Sequence, residues 1–139
     1  MVAQLTGIFE VKMADEIQES IESEKLDLRL KKVGIGGYRR HFILCVGESC
    51  SRGLEPGTAE ESWAKLKKLL SEHQITPTPV FRTKCHCLRV CRQGPIGVIY
   101  PEGIWYQALN SENVERVVKE HLIENRIVED LVIAKNPLG

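Results

Sequence analysis

The chain has 139 residues with 19 Lys+Arg against 19 Asp+Glu, so its net charge gives no ground for expecting nucleic acid or an anionic membrane as partner. At this length it is one domain with room for an appendage, and it can bury a hydrophobic core. Its five cysteines are an odd number, which excludes a fully paired disulfide framework.

The opening residues, Met-Val-Ala-Gln-Leu-Thr-Gly, lack the basic and apolar regions of a signal peptide. No apolar run approaches the length of a membrane span. A cytoplasmic, reducing setting without membrane insertion is therefore expected. In such a setting clustered cysteines point to metal binding or redox chemistry rather than to structural disulfides.

Residues 1–38 are expected to form an extension distinct from the rest, and residues 39–139 the main domain. In the extension, Phe9, Val11 and Met13 alternate with polar neighbours, as do Leu26, Leu28 and Leu30. That alternation predicts two short half-buried strands. Between them Asp15 to Glu24 is acidic, with Ile17 and Ile21 as its apolar stripe, and reads as a short helix or a connection. Val33-Gly-Ile-Gly-Gly37 reads as a linker. It is not a dinucleotide fingerprint, because Arg39 stands where the third glycine would be needed.

From His41 the pattern sharpens. Phe42 to Val46 is a short apolar run of the kind that becomes a buried strand. A Gly/Pro-containing loop follows, and Thr58 with Glu61 has capping-box spacing at the start of a helix. Trp63, Leu66 and Leu70 share one face of that helix. Thr76 to Phe81 leads into a second strand. Ile96 to Tyr100 and Ile104 to Gln107, joined by Pro101-Glu-Gly103, predict a hairpin. Ser111 is expected to cap a second helix with Val114, Val117, Val118 and Leu122 on its apolar face, and Ile127 to Ile133 closes the chain. Strand, helix, strand, then hairpin, helix is a β-α-β unit followed by β-β-α, the order of a thioredoxin-like α/β fold. His73 and His121 are expected near helix ends, in contact with the dipole. Trp105 and Tyr106 are expected on opposite faces of one strand.

The chemistry is concentrated in Arg82 to Pro95, Arg-Thr-Lys-Cys-His-Cys-Leu-Arg-Val-Cys-Arg-Gln-Gly-Pro. It carries Cys85, Cys87 and Cys91, while Cys45 and Cys50 lie upstream with four residues between them. Taking one cysteine from Cys85-His86-Cys87 leaves two close pairs, such as Cys45/Cys50 and Cys87/Cys91, able to converge on one soft metal site from two loops. An iron–sulfur site is expected. Structural zinc is the alternative, although the two-residue spacer of zinc knuckles is missing from both pairs. A third reading is thiol–disulfide or redox-sensing chemistry, which would want a CxxC or an activated cysteine at a helix start.

These residues resemble the thioredoxin-like 2Fe–2S ferredoxins, a family related to the thioredoxin-like subunit of respiratory complex I. The resemblance covers about residues 40–133. It rests on His-Phe-Ile-Leu-Cys-Val, on Cys-x3-Cys after the second strand, and on Gly-Pro-Ile-Gly-Val-Ile-Tyr-Pro-Glu-Gly-Ile-Trp-Tyr. It implies one 2Fe–2S cluster on Cys45, Cys50, Cys87 and Cys91, with Cys85 as a substitute ligand and His86 beside it. It further implies an electron carrier without substrate chemistry of its own, in itself or as an accessory to an oxidoreductase, and a homodimer. Asn125 is expected to take the left-handed position where the family has a glycine after its last helix. Arg82, Lys84, Arg89 and Arg92 are expected to offset the negative charge of such a cluster and to attract a redox partner with an acidic docking surface.

Overall fold

The computed structural model describes the backbone of residues 2–139 and the side chains of residues 11–139. The expected burial of Phe9 lies outside those side chains. The chain divides into two units, Met1–Gly36 and Gly37–Gly139.

The first unit corrects the sequence reading. The two strands expected around Phe9–Met13 and Leu26–Leu30 are absent, and one helix, α1 (Val2–Lys32), replaces them. Each alternation spans only three apolar residues, too few to outweigh a stretch of Glu, Lys, Gln, Met and Leu that favours helix and holds no proline. Local pairing supports the helix: Gln18 Nε2 donates to Glu22 Oε1 at 3.1 Å, and Lys25 Nζ lies 3.4 Å from the same oxygen. Arg29, Lys31 and Lys32 in the last turn complement the helix dipole. The expected linker supplies the stop. Gly34 adopts a positive φ of 83°, the Ile35 N–H bonds to Leu30 O and the Gly34 N–H to Lys31 O, which is a Schellman cap.

In the second unit a five-stranded sheet is built from β1 (Arg40–Cys45), β2 (Val80–Cys85), β3 (Gly97–Tyr100), β4 (Ile104–Tyr106) and β5 (Val132–Lys135). Their order is β2-β1-β3-β4-β5. The β1–β2 pair is parallel, bridged by α2 (Thr58–Glu72), and the other pairs are antiparallel. Helix α3 (Ser111–Val117) runs on into a π-helical turn, Val118–Ile123. The expected β-α-β then β-β-α order is present, and β5 extends it by pairing with β4.

Two caps differ from expectation. Thr58 Oγ1 donates to Glu55 O at 2.7 Å, and the position before α2 is Gly57 at φ 87°, so the capping box does not form. In α3 the cap is Asn110 rather than Ser111, its side chain accepting from the Asn113 N–H at 2.9 Å.

The main core lies between one sheet face and the two helices. Phe42, Leu44, Ile99, Ile104 and Tyr106 meet Leu66, Leu69 and Leu70 of α2 and Val114, Val117 and Val118 of the α3 segment. The period of two along a strand turns Cys45 away from that core. It joins Cys50 and Ile96 in a second, smaller apolar cluster against Cys85, Leu88 and Trp105. The pleat that sends Tyr106 into the main core therefore sends Trp105 towards the cysteines.

A polar network closes the opposite end of β1. Arg40 Nε donates to Glu102 Oε1 at 2.8 Å, and its Nη2 to Asn125 Oδ1 at 2.7 Å. Asn125 has the expected positive φ, at 58°. His121 is not a surface dipole contact: it is buried, 2.8 Å from the Tyr106 hydroxyl through Nδ1 and 3.7 Å from Glu102 Oε2 through Nε2. Burial lowers its pKa, only partly offset by the Glu102 carboxylate. His73 forms the C-cap of α2.

Candidate metal centre

Two segments bring the cysteines to one end of the sheet. Strand β1 ends at Cys45, fully buried, and a 3₁₀ turn, Glu48–Ser51, holds the buried Cys50. Strand β2 ends at Cys85, directly opposite Cys45 in the parallel register. The chain then leaves the sheet through exposed His86 and Cys87 and reaches half-buried Cys91. Cys45 donates a backbone N–H to Ile96 O at 2.8 Å, and Val46 to Cys85 O at 2.9 Å. Both contacts tie the end of β1 to its neighbours.

The second loop has an unusual backbone. Arg89, Cys91 and Gln93 have φ values of 69°, 52° and 58°, a left-handed conformation uncommon for side chains of this kind. Such turns expose backbone N–H groups to an anionic sulfur. One is engaged here, Arg89 N–H donating to Cys87 Sγ at 3.1 Å. The Cys87 and Cys91 sulfurs are 3.7 Å apart. Two thiolates each about 2.3 Å from one tetrahedral metal would be roughly 3.8 Å apart, so this pair fits a single metal ion.

The two loops interlock through glycines. A Cβ on Gly47 would collide with the His86 carbonyl, and one on Gly94 with the Cys50 carbonyl. Each cysteine loop thus presses its backbone against the other.

The remaining thiols lie close enough to influence one another. Burial, followed by the neighbouring Cys45, pushes the Cys50 thiol up to about 12. Burial and the same neighbour raise Cys85. Cys91 is raised first by its bond with Cys87, with Ser49 opposing. Among the described residues no three of His, Cys, Asp and Glu surround a single point as a lone ion would require. A 2Fe–2S cluster asks for something else, a pair of thiolates at each iron. Soft sulfur donors in two segments, the matched spacing of one pair and an N–H on its sulfur all fit that group.

The basic residues singled out in the sequence separate. Arg89 and Arg92 belong to the cysteine loop and are exposed. Lys84 is exposed near the end of β2. Arg82 stands away from the cysteines, its guanidinium over the Trp63 ring at 5.8 Å and Nη1 donating to Thr76 Oγ1 at 2.9 Å. Sequence reasoning missed Arg52, two residues after Cys50, and the roles of Gly47, Gly94 and Trp105. For the glycines the one signal was their position beside the cysteine segments.

No protein-family model matches the chain. It is 33% identical over 104 residues to a 2Fe–2S ferredoxin of Aquifex aeolicus (strain VF5), a match covering 69% of this chain and 90% of that protein. The chain belongs to the thioredoxin-like 2Fe–2S ferredoxins. A solved thioredoxin-like [2Fe–2S] ferredoxin from Aquifex aeolicus superposes on this ferredoxin with a TM-score of 0.61 at 27% identity, covering 73% of this chain and 96% of that one. A 2Fe–2S ferredoxin of Clostridium pasteurianum is 43% identical over 47 residues, 34% of this chain and 46% of that protein. The family explains why a thioredoxin-like sheet ends in sulfur donors, and its cofactor is a 2Fe–2S cluster.

Proposed function

We propose that this ferredoxin carries single electrons between redox partners on a 2Fe–2S cluster held by Cys45, Cys50, Cys87 and Cys91. The observation that carries the reading is the convergence of the two cysteine segments, with Cys87 and Cys91 sulfurs 3.7 Å apart and the Cys45 end of β1 beside the buried Cys50. When bound, the cluster supplies one-electron redox chemistry. The chain's residues do the rest. Cys45 and Cys50 hold the inner side, where Ile96, Leu88 and Trp105 keep water away. Cys87 and Cys91 hold the outer side, and the Arg89 N–H donates to the Cys87 sulfur at 3.1 Å and orients it. Arg89 and Arg92 offset the cluster's negative charge, favour its reduced form and attract an acidic surface on the partner.

Cys85 stands next to Cys45 and serves as a reserve ligand. Two copies associate as a homodimer, a reading supported by the sheet edges that β2 and β5 leave open and by exposed Ile133 on β5. No described helix is long and apolar enough to cross a membrane.

The test is iron and acid-labile sulfide analysis of the purified protein with visible absorption, followed by a reductive titration. Two irons, two sulfides and one electron per chain are expected for this cofactor. A colourless protein containing zinc would refute the reading in favour of a structural metal site. A colourless metal-free protein with a reversible disulfide would refute it in favour of thiol chemistry. Light scattering measures the dimer.

A further inference from the structure

A cavity of about 370 Å³ opens beside the cysteines, lined by Ser49, Cys50, Arg52, Val90, Cys91 and Arg92, together with Gln93 and Gly94. One cysteine of each pair, Cys50 and Cys91, lines it. Cys45, fully buried, and Cys87, exposed, do not line it, and Cys50 is itself buried, so this opening brings solvent up to the two loops that carry one cysteine of each pair. Its two charged walls are Arg52 and Arg92, both exposed. Neither forms an ion pair among the described residues, whereas Arg40, Arg116 and Arg126 each bind a carboxylate. Val90, 36% exposed and uncharged, lines the same opening.

We infer that this opening is the electron port of the ferredoxin, and that Arg52 together with Arg92 selects an acidic redox partner there. The inference rests on the ligand assignment above and narrows it. At this opening the docking charge lies on the Ser49–Arg52 and Val90–Gly94 segments, with exposed Arg89 adding to it from just outside the lining, while Arg82 is committed to Trp63 and Thr76. Two guanidiniums without an ion pair among the described residues, lining one opening, present positive charge to an approaching surface, and their field is focused by the low-dielectric walls of the opening. A reduced 2Fe–2S cluster held by these cysteines would supply one electron, which the oxidant would gain with no bond made or broken.

The experiment uses the full-length holoprotein and two oxidants of opposite charge, anionic ferric EDTA and cationic hexaamminecobalt(III). Iron and sulfide analysis of the wild type comes first, so that a failed ligand assignment is recognised before any kinetics. Rates of oxidation are then measured for Arg52→Glu/Arg92→Glu at low and high salt. The ratio of anionic to cationic rates should fall about 10-fold or more at low salt and return towards the wild-type ratio near 1 M, where the screening length is about 3 Å. Arg39→Glu reverses one charge, half the change of the double variant, beside the first residue of β1, whereas Cys45 is its last, and should change the logarithm of the ratio by far less than half as much. Arg52→Gln/Arg92→Gln should move it in the same direction by a smaller factor. A ratio no different from that of Arg39→Glu, or a change that high salt leaves untouched, would overturn the inference. So would failure of the glutamine variant to hold its cluster, because the arginines would then be structural parts of the site.

Discussion

Gly94→Ala probes the interlocking of the two cysteine loops. The new Cβ would fall on the Cys50 carbonyl, a backbone atom that no rotamer change can move. One loop must retreat by about 1 Å, and forcing an extra carbon into a packed contact costs typically about 1–3 kcal/mol. With a urea slope of about 2 kcal/mol per molar, the unfolding midpoint of the cluster-free protein should drop by roughly 0.5–1.5 M. The same retreat displaces Cys50 relative to Cys91, so the loaded protein should lose its visible absorption faster than wild type. Gly103→Ala is the informative comparison. Its Cβ would strike the Asn136 backbone, and φ there is +67°, but Gly103 sits in the β3–β4 turn away from the cysteines. It should lower the urea midpoint as much or more, yet leave cluster lifetime unchanged under conditions where both variants are folded. Equal cluster lifetimes for Gly94→Ala and wild type would refute the argument that the glycine contact sets the distance between the ligand pairs. Equal loss in both glycine variants would show that stability alone, rather than loop geometry, governs retention.

Serine at Cys45, Cys50, Cys87 or Cys91 should abolish or greatly weaken the visible spectrum, since a soft thiolate is the matching ligand, while Cys85→Ser should leave it nearly intact; loss at Cys85 with retention at Cys87 would reverse the choice between them. Tyr106→Phe removes the partner of buried His121 Nδ1 and of the Val128 N–H, and urea unfolding should show a cost of about 1–3 kcal/mol. Because burial depresses the folded pKa of His121, its contribution to stability is present above the unfolded value of about 6.5. That contribution should be lost as pH falls from there through the folded value, and a His121→Gln variant should show a flatter stability profile over that range. Removing residues 1–36 should leave the visible spectrum unchanged, because no cysteine lies there, and light scattering on the shortened chain should reveal any change of association state.

Where apolar periodicity was long and unambiguous, the sequence led directly to the structure. Phe42 to Val46 reads as a buried strand and ends in a buried cysteine, and Val114, Val117, Val118 and Leu122 face the core as their spacing requires. The cysteine segments were legible because thiol spacing is a local property. The errors arose where a short pattern competed with a longer one. Leu26, Leu28 and Leu30 alternate, but they occupy part of a helix-favouring stretch that also includes Ile17 and Ile21, and helix propensity summed over that length prevails. Arg82 looked like part of a basic loop because it is three residues from Cys85. The strand carries it instead to α2, where an aromatic face holds it. The contacts of Gly47 and Gly94 join residues about 40 positions apart, and no local pattern encodes such an encounter.

The separation of the two apolar clusters bears on how this protein matures. The main core contains none of the five cysteines, so its hydrophobic driving force does not wait on metal, unlike a zinc finger that folds only around its ion. The newly made chain can therefore reach its native topology with the sulfur-lined end still empty. By the same physics, cofactor insertion acts on an already folded acceptor rather than driving the fold.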